Sequence, residues 1–171
     1  RLTRGEAEVL GLDVRRRSAE IRQQVGYMPE DDCFIAGLQG VRAVAYAGEL
    51  AGMAWRAAVR RAHEMLDYVG LADERYREVE TYSTGMKQRL RLAQALIHAP
   101  RIVLLDEPTS GLDPASRADV FDMIDRLRGE GTTILVSTHA LAEVGERVDR
   151  VAVLHKGGLL CAGSLADLRR E

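Results

Sequence analysis

Ile102-Val103-Leu104-Leu105 is a run of four large apolar residues that follows Pro100 and stops at two adjacent carboxylates, Asp106 and Glu107, with Pro108 next. Such a run fits a strand covered on both faces, the pattern of a parallel sheet. Asp106 and Glu107 then emerge at the strand's C-terminal edge, where open α/β sheets place their ligands. Two charges at the end of a buried strand are costly unless something uses them. A solvated strand end is the plain alternative; the functional one is a divalent cation accompanying a nucleotide phosphate.

The flanking sequence repeats this arrangement. Thr133-Ile134-Leu135-Val136-Ser137 reads as a second buried strand of the parallel type, and His139 stands just beyond its end. Between the two strands a helix is predicted from Pro114 to about Arg128, with Val120, Ile124 and Leu127 inward and Gly129 and Gly131 breaking it. Upstream, Ser83 is suited to N-cap a helix carrying Met86, Leu90, Ala93, Leu96 and Ile97 along one side and ending before Pro100. A helix N-terminus exposes unpaired N–H groups and partial positive charge, which attract phosphate. Gly85, with no Cβ, allows backbone to approach closely.

Together these stretches resemble the ATP-binding subunit of ABC transporters. Tyr82-Ser83-Thr84-Gly85-Met86 stands where that family carries its LSGGQ-type signature, and Lys87-Gln88-Arg89 follows it. Ile102 to Glu107 is similar to Walker B with the adjoining catalytic glutamate. Ser110-Gly111-Leu112-Asp113 is similar to the D-loop, and Ser137-Thr138-His139 to the switch-histidine strand end. Four motifs occur in the family's order and spacing. Thr84 and Met86 replace a usual glycine and glutamine, and Glu30 stands where a Q-loop glutamine is usual, as in exporter-type members.

The resemblance implies a P-loop-NTPase-like α/β core with a mostly parallel sheet and an α-helical insert. It divides the chain into residues 1–36 (core), 37–98 (helical subdomain and signature helix) and 99–171 (core with Walker B, D-loop and switch histidine). It implies ATP and Mg2+ as cofactors. Asp106 holds the magnesium, Glu107 acts as general base, His139 contacts the γ-phosphate, and Glu30 links the metal site to the insert. Ser83, Thr84, Gly85 and Met86 contact ATP held by the opposite subunit, and Asp113 sits at the dimer seam. The implied partners are a second ATP-binding subunit in a head-to-tail dimer and transmembrane permease subunits, with the chain peripheral on the inner face of the cell membrane. The Y-S-T-G-M-K-Q-R form is closest to exporters of the ABC-2 type. A non-transport ABC ATPase and a signature-donating module that hydrolyses nothing are the alternatives.

One element of that scheme is missing from the 171 residues. No G-x-x-x-x-G-K-[ST] phosphate loop occurs, the chain opens at Arg1, and Gly5 to Gly11 is similar to what the family carries shortly after that loop. The expectation is an N-terminally truncated chain with weak ATP binding.

The remaining segments are read from periodicity. Residues 5–12 are predicted as a strand closed by Gly11, 15–23 as a short polar helix, and Val25–Met28 as a strand ending at Pro29. Residues 37–80 carry apolar positions at helical spacing, Val41, Val44, Ala45, Gly48 and Ala51, then Ala58, Ala62, Met65, Leu66 and Val69, and no strand pattern. Trp55, the single tryptophan, either packs inside this insert or marks a partner surface. A helix 140–147, a strand 148–154, a turn at Lys156-Gly157-Gly158, a strand near 159–162 and a helix 164–170 close the chain, the last two strands forming a β-hairpin.

Composition narrows the class further. A net charge of -2 gives no electrostatic reason to expect nucleic acid. The two cysteines, Cys33 and Cys161, have no metal spacing and read as free thiols. No apolar run approaches the roughly 20 residues that span a bilayer.

Overall fold

Two consecutive left-handed residues, Leu10 (φ 54°) and Gly11 (φ 73°), set the conformation at the start of the chain. A two-residue turn with φ positive at both positions folds a strand back on itself. The segment is therefore a small antiparallel hairpin, β1 (Glu8–Val9) with β2 (Leu12–Asp13), and not the single strand over 5–12 that the alternation predicted. The computed structural model describes residues 4–31, 33–139, 144 and 147–164. They fall into two compact units, Arg1–Ser137 and Thr138–Glu171.

In the first unit a short helix α1 (Ser18–Arg22) leads into β3 (Val25–Met28). Helices α2 (Gly40–Leu50) and α3 (Trp55–Tyr68) follow and pack on each other. Of the residues predicted to face inward, Val41, Val44, Ala45 and Gly48 on α2, and Ala58, Ala62, Met65 and Leu66 on α3, are buried, whereas Ala51 lies at the C-cap of α2 and is half-buried. Trp55 is not buried with them. It is 41% exposed, with the Arg42 guanidinium 4.1 Å above its ring.

A 3₁₀ turn, Val79–Thr81, precedes α4 (Thr84–Leu96), whose N-cap is Ser83 as predicted. Then come β4 (Ile102–Asp106), α5 (Pro114–Gly129) and β5 (Thr133–Ser137). The sheet order is β3-β4-β5, all parallel, with Tyr27 beside Leu104 beside Leu135 and Asp106 beside Ser137. Its three C-terminal ends share one edge.

One face of this sheet is closely covered. Met28, Val103 and Leu105 are at most 1% exposed. Helix α4 lies against β3 so closely that a Cβ on Gly26 would sit 2.2 Å from the Ala95 carbonyl oxygen. The other face departs from the expectation of burial on both sides, since Tyr27 is 57% and Leu135 64% exposed. A continuous apolar run reports that both faces tolerate apolar contact; it does not report that both are covered.

The second unit contains β6 (Val151–His155) and β7 (Gly158–Gly163), an antiparallel hairpin turning through Lys156 (φ 49°) and Gly157 (φ 78°). This is the predicted hairpin. The predicted helices 140–147 and 164–170 lie largely outside the described residues.

The Gly26 contact yields a direct expectation. Gly26→Ala forces backbone apart where no flexible side chain can yield, and overpacking of this kind costs about 1–3 kcal/mol. A fall in the urea midpoint at unchanged slope is the expected result, and an unaltered midpoint would refute the contact.

Candidate functional site

The polar residues at the C-terminal edge of the sheet are held there by backbone geometry. Asp106 ends β4 with its side chain on the open face, beside Ser137, the last residue of β5. The Ser137 hydroxyl donates to Asp106 Oδ1, and the Tyr27 hydroxyl lies 3.5 Å from Oδ2. Partial desolvation, followed by the neighbouring Asp106 charge, raises the Tyr27 phenol above its ordinary value, so it keeps its proton and can donate.

Glu107 is the first residue past the strand, and its φ is 44°. A non-glycine residue in this region is strained and persists only where its surroundings fix it. Here the Glu107 N–H donates to the Ser137 carbonyl (3.0 Å), and its own carbonyl accepts from the Ser110 N–H (3.1 Å). The side chain is half-exposed. Glu30 lies two residues beyond β3, hence at the same edge, and is exposed.

A second group of predicted residues forms around two helix starts. Ser83 Oγ accepts from the Met86 N–H at 3.3 Å, and Ser83 and Thr84 are exposed. A Cβ on Gly85 would lie 3.4 Å from Ser116 Oγ, and one on Gly111 would lie 3.7 Å from Thr84 Cγ2, so the α4 tip sits against the turn that begins α5. Asp113 N-caps α5. Its carboxylate accepts from the N–H groups of Ala115 (3.0 Å) and Ser116 (3.1 Å) and from the Ser116 hydroxyl (2.6 Å). The Ser116 hydroxyl first, then the backbone amides, holds the Asp113 carboxyl below its ordinary range.

Glu30, Asp106 and Glu107 are thus brought to one sheet edge, and Ser83–Met86 to the vicinity of Asp113. His139 belongs to the second unit, two residues past the end of β5, and is exposed.

Two functional candidates escaped the sequence reading: Gln88 (1% exposed) and Arg91 (7%), both inside α4. The available signal was their spacing. Three residues apart, they share a stripe with Leu92 and Ala95, where a buried polar pair needs partners.

As to a metal, the described residues include no group of three or more His, Cys, Asp or Glu side chains able to enclose one. A single carboxylate held by two hydroxyls suits a magnesium ion that keeps much of its water and takes other ligands from a phosphate.

The family model described as "ABC transporter" matches residues 1–110, a span that includes Ser83–Met86, Asp106 and Glu107. The chain is 41% identical over 170 residues to an uncharacterized ABC transporter ATP-binding protein of Synechocystis sp., covering 98% of this chain and 48% of that one. It is 37% identical over 165 residues to a daunorubicin/doxorubicin resistance ATP-binding protein of Streptomyces peucetius, covering 96% and 50%. A solved structure titled "Structure of ATP binding subunit of ABC transporter" superposes with a TM-score of 0.84 at 27% identity, covering 98% of this chain and 70% of that one. The chain spans about half the length of the curated relatives it matches.

The Asp113 cap has a defined pH signature. Its folded pKa is lowered, so the unfolded chain binds the proton more readily. The stabilisation is present above its ordinary value of 3.8 and is lost as pH falls through the folded value. Asp113→Asn keeps the capping oxygen without the titration. Its urea midpoint is expected to fall less between pH 6 and pH 3 than that of the parent, and equal falls would contradict the cap.

Proposed function

Because the chain belongs to the ABC transporter family as an ATP-binding domain, we propose that it hydrolyses ATP and couples the reaction to export through membrane subunits. The observation that carries this reading is the pair Asp106-Glu107 at the C-terminal edge of a parallel sheet, inside the matched span. The relatives named for drug resistance support export as the direction of transport. Cargo choice belongs to the membrane subunits.

Phosphoryl transfer to water leaves a protein mainly positioning and electrostatic work. Asp106, oriented by Ser137 and Tyr27, would hold a magnesium ion, which would neutralise charge on the phosphates. Glu107 accepts the proton of the attacking water; its left-handed backbone turns the side chain off the strand register. Glu30 links the metal site to the helical insert, and His139 contacts the γ-phosphate.

Ser83–Met86 serve a nucleotide held by a second subunit, so the working unit is a head-to-tail dimer, with Asp113 near its seam. Exposure of Ser83 and Thr84 at the start of α4 supports this assignment. The half-exposed Trp55, with Arg42 stacked on it, supports the helical insert as the face that meets the membrane partner. No described helix is long and apolar enough to cross a membrane.

A second reading is that the chain donates its signature tip, exposed at Ser83 and Thr84, and hydrolyses nothing. Either way, calorimetric titration of the 171-residue chain with Mg-ATP is expected to show weak or no binding, because the lysine and amides of the G-x-x-x-x-G-K-[ST] loop, which these residues lack, supply most phosphate contacts. Micromolar affinity would refute this.

The test of the first reading is Glu107→Gln in the full-length natural protein. ATP affinity is expected to stay within about twofold while steady-state hydrolysis falls by about 10²–10⁴-fold, the usual contribution of a general base. Unchanged hydrolysis would remove Glu107 from the mechanism.

A further inference from the structure

Gln88 and Arg91 form a buried polar pair, bonded to each other and to backbone outside their own helix. Gln88 Nε2 donates to the carbonyls of Glu107 (3.3 Å) and Pro108. Its Oε1 accepts from Arg91 Nη2, and Arg91 Nη1 donates to the carbonyls of Pro29 (3.0 Å) and Glu30. Both hydrogens of the Gln88 amide and its oxygen are therefore engaged. Four of these five bonds end on backbone, and all four acceptors lie in the segments just past β3 and β4.

Burying an arginine and a glutamine in a helix that packs on a sheet is costly unless every bond is made. An apolar pair of the same size would fill that space without the cost. What the polar pair adds is a fixed position for two loops that otherwise have few regular backbone partners. One of its acceptors is the carbonyl of Glu107, whose left-handed φ of 44° needs external support. Another is the carbonyl of Glu30. The two proposed acidic groups at the sheet edge are thus tied, through their own peptide units, to one rigid element. That element is α4, the helix that begins at the Ser83–Met86 tip.

We propose that Gln88 and Arg91 are positioning residues for hydrolysis: they hold the backbone of Glu107 and Glu30 so that the Glu107 carboxylate meets the attacking water at the correct angle. This inference rests on the reading of Glu107 as general base. Displacement of a catalytic group by about 1 Å is enough to cost on the order of 100-fold in rate. The pair acts on the rate of the chemical step and leaves nucleotide affinity alone, because none of its bonds reaches the residues assigned to phosphate.

The test uses the full-length natural protein carrying Gln88→Met, which keeps side-chain length and removes both amide donors. The double variant Gln88→Met/Arg91→Met also removes the buried guanidinium and so leaves no orphaned charge. Single-turnover hydrolysis is expected to slow by about 10–100-fold in both, with the Kd for Mg-ATP within about twofold of the parent. The double variant should show a single cooperative melt. A folded double variant with a single-turnover rate within about twofold of the parent would overturn the proposal, as would loss of rate matched by an equal loss of affinity. Glu107→Gln measured alongside separates the two levels. If it abolishes hydrolysis while the Gln88 variants do not, the positioning role alone fails. If it leaves hydrolysis intact, the reading of the site fails, and the positioning role with it.

Discussion

Helix α4 lies against β3 at a distance that only glycine permits, and most of the first unit takes its position from that contact. With Gly26 facing the Ala95 carbonyl, the helix axis cannot move outward without opening the Met28–Val103–Leu105 core or inward without a backbone clash. The same helix touches α2 and α3 on another side, so the helical insert and the sheet are both referred to it. Close packing of this kind is stiff, because protein interiors have little free volume to absorb a shift. A displacement at one end of α4 therefore moves its other contacts as well.

That stiffness gives the polar stripe of α4 its meaning. Gln88 and Arg91 reach the chain segments leaving β3 and β4, where the sheet's own hydrogen-bond ladder has ended. Strand ends are where a parallel sheet can present side chains to a ligand, and also where it loses its regular means of holding them. The left-handed Glu107 shows both aspects. It turns a carboxylate away from the strand register, and it is kept there by bonds from Ser110, to Ser137 and from Gln88. The Asp113 cap solves a similar problem six residues later, where its carboxylate satisfies two amides at the start of α5 and fixes the turn beneath the Ser83–Met86 tip.

Much of this was legible in the residues. The run Ile102–Leu105 ending in two acids gave a strand and its polar end, because side-chain chemistry there is dictated locally. Ser83 before a helical apolar pattern gave the N-cap, and Lys156-Gly157 gave the hairpin turn, since both depend on local backbone chemistry. Leu10-Gly11 was misread as the end of a strand. Its neighbours alternate weakly, and a leucine does not advertise a left-handed conformation. The exposed Leu135 lies in a run that reads as a buried strand, because apolar character is the same whether or not a neighbour is present.

What the sequence determined alone, then, was the set of chemical groups and the elements that carry them: paired acids after a strand, a helix capped by Ser83, an aspartate before a proline. Local rules suffice for these, since each depends on residues within a turn or two of one another. What only the tertiary structure decided was which ends of which elements meet. Gln88 and Glu107 are 19 residues apart, and Arg91 and Pro29 are 62. No periodicity spans such distances. The pairing comes from the packing of a whole helix on a whole sheet, where a single glycine sets the separation.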